Sequence, residues 1–171
     1  MNPADQLNDL FRSFRISSWR WECQGDYAVD EAALRRWRNG QPDDPARKAP
    51  WLAYIRDITS RGVRFERVRM LTEPLTEYLR WLLEQTQSNI DAGEDIRWIT
   101  ESQAHELRAP DYDFYLFDDE RVAIMRFGTD KLLADLEVST DPAVVDEHRR
   151  YRDLVWPAAV RHADYYATRS P

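Results

Sequence analysis

The clearest alternation of apolar and polar positions lies between Tyr112 and Gly128, in the stretch YDFYLFDDERVAIMRFG. Apolar residues alternate on each side of the acidic triplet at 118–120. A period of two puts successive side chains on opposite faces of a β-strand. The pattern therefore predicts an antiparallel hairpin, with strands at 112–117 and 121–127 and a polar turn between them.

Apolar residues recur at helical spacing elsewhere, most clearly from Thr72 to Gly93, where Pro74 fits the first turn and Gly93 is a natural stop. Thr100 with Gln103 resembles a capping box for a brief helix. The other predicted helices are 5–14, 30–38, 51–60 and a last one that begins at 141–142, is broken or kinked at 157 and ends near 166.

Four more segments have the character of strands. They are 16–23, whose tryptophans should face a core, 63–71, 96–99 and 132–139. Strands and helices mixed in this order predict an α/β (or α+β) fold, with one mixed β-sheet flanked by helices. The 63–71 and 96–99 strands, joined through a long helix, should be parallel with a right-handed crossover.

The best candidate for a domain boundary is the segment NGQPDDPARKAP, which has three prolines and no large apolar side chain. It divides the chain into a small N-terminal helix-strand-helix extension at 1–40, a Pro-rich loop at 41–50 and a mixed-sheet main domain at 51–171.

Composition narrows the class of protein. A chain of 171 residues with 43% hydrophobic residues suits one domain with a packed core. Its apolar runs are far shorter than the ~20 residues of a membrane span, and no secretory signal pattern begins the sequence. A single cysteine suits a reducing compartment, so we expect a cytoplasmic protein. The net charge of −7 disfavours direct binding to nucleic acid.

Nearly the whole chain, from about residue 7 to residue 166, resembles one family. The landmarks are RVRMLTEPLTEYLRW at 67–81, AGEDIRW at 92–98, DFYLFDD at 113–119 and RDLVWPAAVRHADYY at 152–166. They resemble an uncharacterised actinobacterial domain of unknown function, often encoded beside Cro/repressor-type helix-turn-helix regulators. The resemblance implies a bacterial cytoplasmic protein in a regulatory neighbourhood and supplies no mechanism.

A second, structural resemblance is to half of a phospholipase D-like domain, on the strand, acidic hairpin and helix described above. That superfamily uses His-x-Lys, four residues and then Asp, because the His accepts the phosphoryl group and the Lys holds its oxygens. Aligning the acid on Asp118 puts Asp111 and Asp113 at the His and Lys positions, and a shift of one residue puts two aromatic residues there. The catalytic motif is absent, so we expect a phospholipase D-like fold without its catalysis.

Other chemistry is not indicated by the sequence. The three histidines are His105, His148 and His162, and none forms a His-x-x-x-His pair, so no metal site is expected. Cys23 follows Glu22, whose charge would raise the pKa of the thiol, which favours a packing role. The sequence has no phosphate-cradling glycine loop, and no cofactor is predicted.

The arginines of RGVRFERVR form the most informative cluster. Arg67 and Arg69 share one strand face, near the carboxyl end of a parallel strand where α/β pockets tend to form. With Arg97 from the neighbouring strand and Glu73 at a helix start, they make a candidate ligand-binding set. The alternative is a structural ion-pair network in which Glu73, Glu94 and Asp95 satisfy the arginines.

Two functions follow as hypotheses. The first is a non-catalytic regulatory or interaction protein that partners a helix-turn-helix transcription regulator. The second is a phosphate-ester or nucleotide-binding sensor or enzyme that uses the arginine-lined pocket for a small anionic ligand. A structural subunit that self-associates, as in a homodimer, stays open as a third.

Overall fold

A seven-stranded mixed β-sheet forms the centre of the molecule in the computed structural model, which describes residues 1–168. The strands lie side by side in the order β6-β5-β4-β1-β2-β3-β7. They are β1 (Ser17–Glu22), β2 (Arg64–Leu71), β3 (Asp95–Thr100), β4 (Asp113–Phe117), β5 (Arg121–Phe127), β6 (Leu133–Ser139) and β7 (Val160–Arg161). The predicted mixed sheet of an α/β fold is confirmed.

Within residues 1–168, seven α-helices surround this sheet. They are α1 (Pro3–Ser13), α2 (Glu31–Arg38), α3 (Pro45–Ser60), α4 (Glu77–Ala92), α5 (Glu101–Glu106), α6 (Pro142–Ala158) and α7 (His162–Ala167), with a short 3₁₀ turn at Ala28–Asp30 before α2. None of the helices within residues 1–168 is both long and apolar enough to cross a membrane.

The helices end at capping residues that can be recognised in the sequence. Thr100 and Gln103 form the expected capping box of α5. The Asp141 carboxylate accepts hydrogen bonds from the first turn of α6. Gly93 ends α4 with a left-handed φ of 119°, and α6 ends one residue after Pro157.

Strand pairing also agrees with the predicted directions. β2 and β3 are parallel, and β4 and β5 form an antiparallel hairpin. The tip of the hairpin holds Asp118 and Asp119 at positive φ. The Asp118 carboxylate accepts hydrogen bonds from the backbone N–H groups of Arg15, Ile16 and Ser17, so this acidic turn holds the chain just before β1.

The sheet separates two layers of helices. One face, which we call the apolar face, carries Trp19, Trp21, Val68 and Phe114 and packs against α5 and α6. The opposite face packs against α1 and α3 at one end and against α2 and α4 at the other. We call it the pocket face, because the candidate site lies between these two groups of helices.

The N-terminal extension predicted at 1–40 and the main domain predicted at 51–171 contribute strands to one sheet. β1 lies between β2 and β4, in the middle of the sheet. A central strand completes the hydrogen bonding of both neighbours, so residues 1–40 belong to the same core as the rest of the chain.

Two boundaries also differ from the predictions. The Pro-rich loop at 41–50 is short, because the Asp44 side chain caps α3 and Pro45 occupies its first turn. The long helix begins at Glu77 rather than at Thr72, because Thr76 supplies the cap by accepting from the Leu79 N–H. Pro74 therefore precedes the helix.

Candidate ligand-binding site

Polar and charged side chains alternate with the apolar ones along the three central strands and meet on the pocket face. Arg20 lies directly opposite both Arg67 and Tyr115, and Glu22 lies opposite Arg69. The group consists of Arg20 and Glu22 from β1, Arg67 and Arg69 from β2, and Asp113 and Tyr115 from β4. Each is at least nine-tenths buried.

Glu22 is at the centre of this group. Its Oε2 accepts from Arg67 Nη1 at 2.9 Å and lies 3.5 Å from Arg20 Nε, while its Oε1 lies 3.4 Å from Arg69 Nε. Burial acts to raise the pKa of this carboxyl, but Arg69, Arg20 and Arg67 outweigh it and lower the pKa to about 2. Glu22 is therefore ionised at any physiological pH.

Asp113 holds the β4 side of the network. Its Oδ2 accepts from Arg20 Nη2 at 2.9 Å and from the Tyr27 hydroxyl at 2.6 Å. Its Oδ1 accepts from the backbone N–H groups of Cys23 and Gln24. Asp113 thus joins the guanidinium group of Arg20 to the segment that follows β1.

Glu94, between α4 and β3, is the third buried carboxylate. Its Oε1 accepts from Trp51 Nε1 at 2.7 Å and from Asn89 Nδ2 at 3.1 Å. Its Oε2 lies 3.4 Å from Arg67 Nε. Arg67 is therefore held between two carboxylates, Glu22 and Glu94.

Arg69 is less completely surrounded. Its Nη1 donates to Thr86 Oγ1 at 2.7 Å. Among residues 1–168, no hydrogen-bond acceptor is found for Nη2 of Arg69, and none for Nη2 of Arg67. Both side chains line a cavity, so donor groups of two buried arginines remain available to something inside it.

The cavity is large enough for a small organic molecule, with a volume of about 530 Å³. Arg67 and Arg69 lie on its sheet side, and α1, α3 and α4 contribute the opposite wall. Its aromatic lining consists of Phe11, Tyr27, Trp51, Tyr78, Trp81, Tyr115 and Phe127. The arrangement can hold a flat apolar body against rings while guanidinium groups bind an anionic group.

The chain has two lysines among its 24 basic residues, and both line this cavity. Lys48 donates to the Gln85 carbonyl and to Ser88 Oγ, each at 2.7 Å. Burial, together with nearby Arg69 and Arg47, lowers the pKa of Lys48 to about 8. Lys131 pairs with Asp26.

The structure brings together only part of the predicted site. Arg67 and Arg69 line the cavity. Arg97 lies on the opposite face, in register with Val68, where it donates to the Trp156 carbonyl and lies 3.6 Å from the Trp156 ring centroid. Glu73 is exposed and is not part of the lining.

The predicted ion-pair alternative describes half of what is observed. Glu94 contacts Arg67 as expected, but Asp95 pairs with Arg97 on the other face. Sequence reasoning missed Glu22 and Asp113. The available signal was that Arg20 and Glu22 alternate with Trp19 and Trp21 in β1, which marks a strand with two different faces.

Two residues discussed as chemical candidates serve the packing. Burial, and then Asp113, raises the pKa of the Cys23 thiol. His148 is buried beside Tyr112, with its ring nitrogens 3.2 Å from the Tyr112 hydroxyl and 2.8 Å from the Val144 carbonyl. Within residues 1–168, no group of three His, Cys, Asp or Glu side chains is arranged to hold a metal ion.

Comparison with protein families matches residues 5–167 to a domain of unknown function, DUF6879. The chain therefore belongs to this family, and the expectation of an uncharacterised domain family is confirmed. A comparison with the curated proteins found no match.

Proposed function

We propose that this protein is a receptor for a small anionic ligand, which binds in the cavity on the pocket face against Arg67 and Arg69. The observation that supports this most is the pair of Nη2 groups that have no acceptor among the described residues, on side chains that are each 7% exposed. These groups face the cavity, and a hydrogen bond to a charged group contributes about 1.5–3 kcal/mol, so a ligand oxygen that replaces water there would add to the affinity.

The buried network prepares these arginines for binding. Glu22 contacts Arg67 through Nη1 and Arg69 through Nε, and Glu94 and Thr86 hold the two guanidinium groups from the side of α4. Little side-chain entropy is then lost when a ligand binds, because the donors are already in place. A guanidinium group held in this way suits carboxylate or phosphate oxygens, which it can bind through two parallel hydrogen bonds.

The test is ligand-dependent thermal stability combined with isothermal titration calorimetry. A panel of carboxylates, phosphate esters and nucleotides is screened at millimolar concentration. A ligand present at 100 times its dissociation constant should stabilise the folded state by about 2.7 kcal/mol. If no member of the panel binds, the receptor proposal is overturned.

Arg69→Met is the variant of choice for any ligand found. Arg67 contacts both Glu22 and Glu94, so its removal would leave the negative charge of two buried carboxylates less compensated. Arg69 contacts only Glu22 among the carboxylates of residues 1–168. Loss of one charge-assisted contact should weaken binding about tenfold or more. Arg97→Met is the matched control, because Arg97 lies on the other face of the sheet. The affinity of this variant for the ligand should equal that of the wild type.

The regulatory half of the proposal comes from the family resemblance. We propose that the ligand-bound protein acts with a helix-turn-helix regulator in the cytoplasm, without catalysis. The test is affinity purification from the native host with and without the identified ligand, followed by mass spectrometry. Recovery of such a regulator in a ligand-dependent amount supports this role, and recovery of the protein alone in both conditions contradicts it.

A further inference from the structure

The charges around the cavity balance, and this balance limits what the cavity can accept. At its inner end, the guanidinium groups of Arg20, Arg67 and Arg69 meet the carboxylates of Glu22, Asp113 and Glu94. Three positive charges thus face three negative charges, all in buried side chains.

The outer part of the cavity is balanced in a similar way. Lys131 pairs with Asp26, and Arg47 pairs with Asp43 and lies 3.8 Å from Asp30. The Asp30 carboxylate also accepts from the Tyr78 hydroxyl at 2.8 Å. Among the cations that line the cavity, Lys48 is the one for which no ion pair is found within residues 1–168.

We infer that the ligand is an aromatic molecule with a single negative charge, carried by a carboxylate or a phosphodiester group, and that nucleoside di- and triphosphates are excluded. This inference rests on the proposed function and specifies the ligand of that same pocket. Lys48 and the two open Nη2 groups bind the anionic group. The aromatic rings of the lining hold the body of the ligand.

The physical reason is the cost of an uncompensated charge among buried side chains. Further negative charges would find every other cation of the lining already paired with a carboxylate, and an unpaired buried charge is strongly unfavourable. Glu22 cannot relieve this by taking up a proton, because the arginines around it keep the pKa of its carboxyl at about 2. Burial raises the pKa of Asp30, and the Asp30→Asn variant described below tests the contribution of that carboxyl. A single anionic group can contact Lys48, the cation of the lining for which no carboxylate partner is found within residues 1–168.

The aromatic body follows from the walls of the cavity. Trp81 and Tyr78 lie on α4 with ring centroids 5.5 Å apart, and Trp51 and Phe11 meet edge to face at 5.5 Å on the other side. Aromatic rings attract one another beyond the effect of the area they bury, because the positive edge of one ring meets the negative face of the other. A ligand with a ring system therefore gains more from this lining than an aliphatic acid of equal charge.

The experiment uses ligands that share one body and differ in charge. Adenosine, adenosine 3′,5′-cyclic monophosphate, adenosine 5′-monophosphate and adenosine triphosphate are titrated by calorimetry into the full chain at pH 7. Naphthalene-2-carboxylate and tryptophan are added as a second series. The first series tests a phosphodiester anion, and the second tests a carboxylate with and without an ammonium group.

Binding is confirmed at the site by chemical labelling. The chain has two lysines, so acetylation followed by mass spectrometry reports on each separately. A bound monoanion should protect Lys48. Lys48→Met should weaken binding about tenfold or more, whereas Arg61→Met, which removes an exposed cation that pairs with Asp57 outside the cavity lining, should change it less than about twofold.

A charge change provides the sharpest test. Asp30→Asn keeps an acceptor for the Tyr78 hydroxyl and removes one negative charge from the lining. It should raise the affinity for adenosine 5′-monophosphate relative to the cyclic monophosphate by about tenfold.

The outcomes separate the two proposals. Tighter binding of a monoanion than of the matched neutral, dianionic and polyanionic ligands supports the inference. Tighter binding of adenosine 5′-monophosphate or adenosine triphosphate in the wild type overturns the inference and leaves the receptor proposal standing. Absence of binding by every member of both series overturns the receptor proposal itself.

Discussion

The two faces of the same three strands differ completely in chemistry. On the apolar face, Trp19 is 2% exposed, with its ring centroid 5.5 Å from that of Phe114. One residue along the chain, Arg20 is also buried, but it hydrogen-bonds to Asp113 and Tyr115 on the pocket face. The side chains of both faces are buried, one set through dispersion contacts and the other around paired charges that line the cavity.

This difference shows what each face does for the protein. An apolar core of this kind stabilises the fold without directional requirements. A buried charge network contributes little net stability compared with apolar packing, because the desolvation of the ions opposes their attraction. Its benefit is in holding donor groups at fixed positions, which a receptor needs and a core does not.

The largest effect is expected from Trp19→Ala on the apolar face. Removal of a fully buried indole leaves a cavity, and we expect a loss of about 3–5 kcal/mol in the free energy of unfolding. Urea denaturation followed by circular dichroism measures this loss. Small anions should not restore the lost stability, because the cavity left behind is apolar.

Glu22→Gln disrupts the charge network of the pocket face. We expect it to lower the free energy of unfolding by about 3 kcal/mol. The variant keeps the shape of the side chain and removes the charge that three guanidinium groups share. Urea denaturation in sodium formate and in sodium chloride of equal concentration provides the readout. Formate should restore part of the stability of Glu22→Gln and none of that of Trp19→Ala. Equal responses of the two variants would contradict the distinction between the faces.

A smaller loss of stability is expected when the pH is lowered. The ordinary pKa of a Glu carboxyl is 4.5, and the arginines lower that of Glu22 to about 2 in the folded state. Its contribution to stability is therefore complete above about pH 4.5 and is lost as the pH falls towards 2, with a loss of about 1.4 kcal/mol at pH 3.5.

The comparison of wild type with Glu22→Gln isolates this contribution, because the other carboxyl groups are common to both proteins. The difference in their free energies of unfolding should shrink by about 1.4 kcal/mol between pH 7 and pH 3.5. A difference that is constant over this range would show that Glu22 is not held ionised by its partners.

The sequence predicted those features that depend on neighbouring residues. The capping box at Thr100 and the cap at Asp141 were predicted correctly. So was the β4–β5 hairpin, because alternation on both sides of a short polar turn defines its register. The start of α4 was placed too early, because Thr72 and Thr76 are both suitable caps and only the packed chain distinguishes them.

The candidate site was predicted only in part, for the same reason. Alternation placed Arg67 and Arg69 on one face of β2, and the structure places both in the cavity. Alternation within one strand could not show that Arg97 lies on the opposite face, because the face of Arg97 depends on the register between β2 and β3. Glu73 was included for its nearness in sequence, and it is exposed.

What the sequence by itself determined is which side chains share a face and where most helices begin and end. The tertiary structure alone decided that β1 lies between β2 and β4. This strand order brings Glu22 to Arg67 and Arg69, from positions about 45 residues apart in the chain, and brings Asp113 to Arg20 from 93 residues away. Periodicity is a property of a single segment, whereas the choice of neighbouring strands depends on the packing and pairing of the whole chain.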